Sequence, residues 1–252
     1  MVKPETSTVR FGKHPPVRDY RTLRFRDYVT AKLPAPPASF SALPRVFDHL
    51  GTHDLSALFP MDGNDTLGDC TIAALAHAIT LNQGFVKKKP KIMSTAQVVK
   101  LYYHLTGGVD SGLAELNVLN YWRQHKVSAD QILAYISVDP KNHEHVQQAA
   151  QIFGSVYLGF QVQAQCLQEF NAHKPWTPGR LTKDGHAVLA VGYDPKGLTV
   201  LTWGSSQEGT WAWWDECVDE AYAIVPPEAK NPGFAPGFDV QQLLADLNDV
   251  AD

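Results

Sequence analysis

The sequence predicts an α+β fold, in which helices come first and an antiparallel sheet follows. An alanine-rich segment over 69–79 carries apolar residues spaced three and four apart, which is typical of a buried helix. Further along the chain, apolar runs over 186–193 and 198–203 flank the turn sequence Asp194-Pro195-Lys196-Gly197, which indicates a β-hairpin. Because the helices precede the strands and do not alternate with them, the layout favours α+β over an alternating βαβ architecture.

The remaining elements are predicted from apolar spacing and from β-branched content. They are helices over 95–105, 112–125, 145–153 and 215–219, and strands over 155–160 and 221–225. Asn142 precedes the third of these helices and is a suitable N-cap residue, as Asp69 is for the helix that begins at Cys70. A loop is expected over 174–184, and His186 is expected to open the strand that follows it.

The chain is expected to have three parts. Residues 1–62 are rich in proline, arginine and aromatic residues, and proline clusters such as Leu33-Pro34-Ala35-Pro36-Pro37 exclude a long helix there. We therefore expect an extended arm with one short helix, laid over a folded domain at 63–226. Residues 227–252 are expected to form a loosely attached tail, apart from a turn or two of amphipathic helix around 240–247.

The composition excludes several classes of protein. With 252 residues, 44% hydrophobic and 19% charged, the chain has enough apolar material for a core and too little charge for a disordered protein. The net charge is −4 with both signs interspersed, so no nucleic-acid partner is expected, and the basic run at 87–91 is expected to be a solvated loop. No stretch reaches the ~18 apolar residues of a membrane span, and the N-terminus lacks the apolar core of a secretory signal. A cytoplasmic protein without a membrane partner is expected.

The cysteine count bounds the chemistry. Cys70, Cys166 and Cys217 are an odd number, widely spaced and without a C-x-x-C pair, so neither a disulfide framework nor a thiolate zinc site is expected. The sequence His143-Glu144-His145 offers two imidazoles but no third metal ligand. We therefore expect free thiols, no metal and no cofactor, with Cys166 and Cys217 in structural roles.

Cys70 and His186 are the candidate reactive pair. A free thiol is a weak nucleophile because its pKa is about 8.5, and a helix N-terminus or a nearby imidazolium lowers that value. Cys70 lies at a predicted helix start, and the ring of His186 could project from the sheet toward that helix. A cysteine–histidine ion pair between a helix end and a sheet is one way to activate a thiol. The alternative is a purely structural role, in which Cys70 is a small buried apolar residue.

Several motifs resemble those of a known family. The segment Asp184 to Tyr193, with Gly185-His186-Ala187-Val188, resembles the catalytic-histidine strand of papain-like cysteine peptidases, and Trp203-Gly204 looks like that family's tryptophan-glycine pair. The segment Asn64 to Cys70 resembles the loop that enters the nucleophile helix. The resemblance covers roughly 60–226, and its closing segment is more similar to the bacterial branch that includes the double-glycine leader peptidases.

The resemblance implies a role for each matching residue. Cys70 is the nucleophile, His186 its partner, and Asn64 stands where the family keeps a glutamine whose amide helps to bind the oxyanion. The family places an asparagine or aspartate after the histidine to orient the imidazole. Counting from His186 places Thr202 at that position, whereas counting back from Trp203-Gly204 places Leu201 there, and neither is asparagine or aspartate. Of the two, Thr202 can accept a hydrogen bond from the ring, so we expect it to take this role. Thr71 replaces the aromatic residue that papain-type enzymes carry after the nucleophile, and Asp69 disfavours the thiolate if it faces the site.

Two functions of different classes follow. The first is a cysteine hydrolase that cleaves a peptide or amide bond of a peptide or protein substrate through a Cys70–His186 thiolate–imidazolium pair. The alternative is a papain-like module that has lost catalysis and acts as a binding or structural protein, for instance in a phage particle. Thiol-based acyl transfer is a third, less favoured option. If residues 1–60 cross the groove between helix and sheet, they are expected to act as a built-in inhibitor.

Overall fold

A computed structural model describes residues 9–86, 88 and 92–249 of the chain. The N-terminal stretch 1–8 and most of the basic run at 87–91 lie outside the described residues. The helices are α1 (Leu43–Leu50), α2 (Leu55–Leu58), α3 (Cys70–Phe85), α4 (Thr95–Leu105), α5 (Glu115–Gln124), α6 (His143–Phe153), α7 (Cys166–Asn171), α8 (Trp211–Cys217) and α9 (Val240–Asp249), with 3-10 turns at Phe25–Asp27 and Pro227–Lys230. The strands are β1 (Phe40–Ser41), β2 (Ala134–Ser137), β3 (Val156–Gln163), β4 (Leu181–Tyr193), β5 (Gly197–Thr202), β6 (Ser205–Thr210) and β7 (Val218–Val225).

The strands form one antiparallel sheet in the order β2-β7-β3-β4-β5-β6, and the short β1 pairs with the end of β4. Strand β4 lies between β3 and β5. Its register places His186 opposite Phe160 of β3 and Leu189 opposite Leu201 of β5. The α+β architecture predicted from the sequence is therefore confirmed.

Both faces of the sheet are buried, and each supports its own apolar core. Along β4, Leu189 and Val191 belong to the core that contains α3, while Val188 and Ala190 belong to the core beneath α6 and α8. This alternation follows from the two-residue period of a strand. Helix α3 is thereby held against one face of the sheet, with its first residue beside β4.

Helix α3 is slender and almost wholly buried, as its alanine-rich sequence indicates. It runs from Cys70 to Phe85, further than the predicted segment 69–79. A Cβ on Gly84 would lie 2.7 Å from Val46 of α1, so the missing side chain lets the two helices pack closely.

Several other predicted elements are confirmed, including α4, α5 and α6 and the hairpin of β4 and β5. Asn142 caps α6 through its side chain, which accepts a hydrogen bond from the amide of His145. Strand β4 begins at Leu181, so the expectation that His186 opens the strand is wrong, and part of the predicted loop at 174–184 is strand. The predicted helix at 215–219 lies instead at Trp211–Cys217, where Thr210 caps it.

The two ends of the chain hold more structure than expected. Residues 40–58 form β1, α1 and α2, so this part of the arm holds more helix than the one short helix expected. The C-terminal tail is not loosely attached, because Leu243 of α9 is fully buried and Asp246 accepts a hydrogen bond from the hydroxyl of Tyr28 (2.8 Å). Among the described residues, no helix has the length and apolarity to cross a membrane.

Candidate active site

Cys70 is the first residue of α3, at the helix end where backbone amides point outward and favour negative charge. Its side chain is buried, and the backbone amides of Ala187 and Gly12 lie near its sulfur and act to lower the pKa of the thiol. Burial nevertheless raises the pKa of the Cys70 thiol to about 11, against the lowering effect of these two amides. In this structure the sulfur is therefore a protonated thiol at neutral pH.

Asp69, next to the thiol, does not cap the helix with its side chain, which corrects the expectation from the sequence. Both carboxylate oxygens are buried without a hydrogen-bond partner among the described residues. Burial raises the pKa of Asp69 to about 8. The carboxyl group is therefore mostly neutral at pH 7, and a neutral Asp69 places little negative charge beside the sulfur.

His186 lies within β4, and its imidazole is buried among aromatic rings. A hydrogen bond of 2.8 Å joins its Nε2 to Oγ1 of Thr202, the residue at the end of β5. The indole of Trp203 stacks on the ring, with centroids 4.6 Å apart and 21° between planes. Burial lowers the pKa of His186 to about 3. Its Nδ1 is buried without a hydrogen-bond partner among the described residues, so no hydrogen bond joins the ring to the sulfur.

Asn64 and Trp203 connect the loop before α3 to the sheet. Nε1 of Trp203 donates a hydrogen bond to Oδ1 of Asn64 (2.8 Å). Trp203 and Gly204 form the two-residue turn between β5 and β6, with φ of 49° and 72°, as a tight hairpin turn requires. Nδ2 of Asn64 is thereby oriented away from the indole, and it donates to the carbonyl oxygens of Arg10 (3.0 Å) and Leu67 (3.2 Å).

The arm passes between the two candidate reactive groups. The ring of Phe11 packs edge-on against the imidazole of His186, with centroids 5.7 Å apart, while the amide of the next residue, Gly12, faces the sulfur of Cys70. We call residues 10–14 the covering segment. It contacts both candidate groups at once, and both are buried beneath it.

Backbone hydrogen bonds hold the covering segment on two sides. Leu113 donates to the carbonyl of Gly12 (2.8 Å) and accepts from the amide of His14 (3.0 Å). The amide of Lys13 donates to the carbonyl of Gly185 (3.1 Å), the residue before the histidine. These bonds use main-chain groups, so they fix the path of the segment whatever its side chains are.

Glycines make this close approach possible. A Cβ on Gly12 would lie 1.9 Å from the carbonyl oxygen of Gly68, and one on Gly112 would lie 2.2 Å from that of Gly12. A Cβ on Gly185 would lie 2.5 Å from the carbonyl oxygen of Lys13. Each of these neighbours is backbone and could not move aside cheaply. Gly112 and Gly185 in two neighbouring segments, and Gly12 in the covering segment itself, therefore allow the close contact because they lack side chains.

The structure thus places all four candidate residues from the sequence, Cys70, His186, Asn64 and Thr202, around one short path of the arm. It also adds residues that the sequence did not single out, because Phe11, Gly12 and Lys13 belong to a proline-rich arm without a recognisable motif. A glycine inside that arm was the one available signal, since glycine permits close backbone contact.

The other histidine and cysteine motifs lie elsewhere. Nε2 of His143 lies 2.7 Å from Oδ1 of Asp215, and its ring stacks on Trp211. Cys166 and Cys217 are buried free thiols. Within the described ranges, no group of three His, Cys, Asp or Glu side chains is arranged to hold a metal ion.

Comparison with solved structures identifies the fold. Xylellain, a cysteine protease from Xylella fastidiosa, superposes with a TM-score of 0.65 at 17% identity, over 90% of this chain and 99% of that one. Digestive procathepsin L2 from Tenebrio molitor larval midgut superposes with a TM-score of 0.56 at 14% identity, over 89% of this chain and 81% of that one. The cysteine protease and lectin-like domains of Cwp84, from Clostridium difficile, give 0.54 at 14% identity, over 89% and 57%.

At these identities the comparisons establish an α+β papain-like fold. No protein-family profile and no curated protein matches the chain.

Proposed function

We propose that this protein is a cysteine hydrolase of the papain-like class that cleaves a peptide or amide bond, and that the described structure is its latent form. One observation carries the proposal: the amide of Ala187, next to His186, lies near enough to the sulfur of Cys70, at the start of α3, to act on the pKa of the thiol. The strand that carries the imidazole therefore adjoins the helix end that carries the thiol. The likeness to cysteine proteases supports the same assignment.

Each candidate residue has its own role in the proposed reaction. Once the cleft is open, the thiol of Cys70 gives its proton to Nδ1 of His186. The resulting thiolate attacks the carbonyl carbon, forming a C–S bond, and charge develops on the carbonyl oxygen. The backbone amide of Cys70 and Nδ2 of Asn64 stabilise that oxygen. Asn64 already donates to a carbonyl, that of Arg10, so its amide is placed to bind a peptide oxygen.

The imidazole completes the reaction. Nδ1 of His186 is the ring nitrogen without a partner among the described residues, and it donates the proton to the leaving amine as the C–N bond breaks. The same nitrogen then takes a proton from the water that hydrolyses the acyl–sulfur bond. Thr202 holds Nε2 and so keeps the ring in position, in the place where the resemblance expects an asparagine or aspartate.

Latency follows from the protonation states. In the covered form the pKa of Cys70 is about 11 and that of His186 about 3, so both groups are neutral and no ion pair exists. Removing the covering segment admits water to both groups, which reverses the burial that causes both shifts. The arm therefore acts as a built-in inhibitor in this proposal.

The experiment opens the cleft without altering a reacting group. In Gly12→Ala the added methyl group cannot fit against the carbonyl of Gly68, so the covering segment is displaced. Iodoacetamide labelling of Cys70 is then followed from pH 5 to 9 by peptide mass spectrometry, in Gly12→Ala and in Gly12→Ala/His186→Ala. We expect fast labelling well below pH 8 in the first variant and its loss in the second. The same pair is assayed with a fluorogenic peptide mixture.

Ordinary thiol titration in both variants, with no peptide hydrolysis, would refute the hydrolase and favour the inactive binding module. Membership of the leader-peptidase branch and a cytoplasmic location remain predictions from the sequence.

A further inference from the structure

Lys13, in the covering segment, reaches into an acidic pocket. Its Nζ lies 2.9 Å from Oδ1 of Asp219 and 2.9 Å from Oε1 of Glu220, and its side chain is 1% exposed. The stem of the side chain crosses Gly159 of β3, where a Cβ would lie 1.8 Å from Cε of Lys13. The pocket is therefore a narrow passage that a long unbranched side chain fills.

A third carboxyl group lines the same pocket. Glu115, the first residue of α5, is fully buried, and its carboxylate oxygens have no hydrogen-bond partner among the described residues. Burial and the nearby Glu220 raise the pKa of Glu115. Burial alone lowers the pKa of Lys13, but Glu220, Glu115 and Asp219 together raise it above its ordinary value. Lys13 is therefore a charged ammonium that compensates this acidic cluster.

The acidic pocket needs a cation. Buried carboxylates are costly unless a positive charge compensates them, and removing one partner of a buried pair leaves that cost in full. If the covering segment leaves the cleft, Asp219 and Glu220 lose the ammonium that pairs with them. The pocket then favours any occupant that returns a positive charge on a long stem.

The pocket also lies next to the candidate nucleophile. Lys13 follows Gly12 in the chain, and the amide of Gly12 faces the sulfur of Cys70. A peptide that takes the place of the covering segment, with a carbonyl at the sulfur, therefore presents a neighbouring side chain to the pocket. We infer that the pocket formed by Glu115, Asp219 and Glu220 selects substrates with a lysine or arginine beside the residue whose carbonyl is attacked. This inference rests on the proposed function.

The first test measures binding without catalysis. In full-length Lys13→Ala, n-propylammonium supplies the atoms that the substitution removes. We expect a saturable rise of about 3 °C in the midpoint of thermal unfolding, because a ligand of the native state stabilises it. Neither n-propanol nor sodium chloride at equal ionic strength should reproduce the rise. Glu220→Gln in the same background should abolish it, while the exposed Glu216→Gln should not.

The second test measures selectivity in the Gly12→Ala background. Pairs of fluorogenic peptides differ only in lysine against norleucine, an uncharged side chain of similar length, at each position around the cleaved bond. We expect kcat/KM at least tenfold higher for lysine at one position adjacent to the attacked residue. Glu220→Gln should bring that ratio close to one, with Glu216→Gln again as the matched control.

The outcomes separate the two proposals. Cleavage without a preference for lysine, or a preference that Glu220→Gln leaves unchanged, overturns the pocket inference and leaves the hydrolase standing. Absence of propylammonium binding also overturns the pocket inference. If no peptide is cleaved but Glu220-dependent ammonium binding persists, the hydrolase falls and the cation selectivity of the pocket stands.

Discussion

Two neighbouring stretches of the arm differ in how firmly they are attached to the rest of the protein. The covering segment, residues 10–14, makes backbone hydrogen bonds to Asn64, Leu113 and Gly185 and buries Lys13. A few residues later the chain is exposed, with Val17 at 47% and Tyr20 at 98% exposure. The arm is therefore attached over the candidate site mainly by one short stretch. Main-chain hydrogen bonds and the buried charge of Lys13 hold that stretch in place.

The largest expected effect comes from removing that charge. Lys13→Ala leaves Glu220 buried without its cation, which costs about 3 kcal/mol and favours release of the covering segment. We expect the rate of iodoacetamide labelling of Cys70 to rise roughly a hundredfold, measured by peptide mass spectrometry. Lys100→Ala, on the exposed side of α4, is the control. An unchanged rate would show that main-chain bonds alone hold the segment.

The main-chain contribution is tested by Gly12→Ala. The methyl group would meet the carbonyl of Gly68 at 1.9 Å, and overpacking of about 2 kcal/mol corresponds to a rise of ~30-fold in labelling of Cys70. Tyr20→Ala, in the exposed stretch, should leave the rate at the wild-type value. Equal effects from the two substitutions would remove the contrast between the stretches.

The burial of His186 beneath the covering segment can be tested through the pH dependence of the free energy of unfolding. The pKa of His186 is about 3 in the folded protein, below its ordinary value of 6.5, so the folded state binds the proton less well than the unfolded state. The contribution of neutral His186 to the free energy of unfolding is fully present above pH 6.5 and is lost as the pH falls toward 3. Wild type should therefore lose about 2 kcal/mol relative to His186→Gln between pH 7 and 5.

Urea unfolding of both proteins at each pH gives this difference directly. The comparison with His186→Gln is needed because Asp69, whose pKa is raised to about 8, acts in the opposite direction: its contribution is lost as the pH rises. Parallel pH profiles for the two proteins would contradict a buried neutral imidazole.

The smallest expected effect concerns Thr202. Thr202→Val removes the hydroxyl bonded to Nε2 of His186 and leaves both ring nitrogens without a partner among the described residues, at a cost of about 1 kcal/mol in unfolding free energy. Thr202→Ser retains the hydroxyl and should lie close to wild type. If both variants unfold alike in urea, the hydroxyl does not hold the ring.

The sequence predicted the strongly patterned parts of the fold. Helix α3 and the β4–β5 hairpin have long apolar signals, and the four candidate residues all lie on them or beside them. Strand β6, Ser205–Thr210, is polar and has no such alternation, so it was missed. The attachment of the C-terminal tail was underestimated, because a single buried residue such as Leu243 is enough to anchor a short helix.

The covering segment could not be predicted for a different reason. Main-chain hydrogen bonds leave no side-chain signature, and the pairing of Lys13 with Asp219 and Glu220 joins residues far apart in the chain. A lysine among arginines and prolines looks solvated until the three-dimensional structure places it.

The burial of Cys70 also affects how readily its sulfur is oxidised. Oxidants such as peroxide attack the thiolate and hardly react with the protonated thiol. With its pKa raised to about 11 and its sulfur enclosed, Cys70 is shielded from conversion to sulfenic or sulfinic acid while the arm is in place. The covering segment therefore protects Cys70 under oxidising conditions that would attack an exposed thiolate.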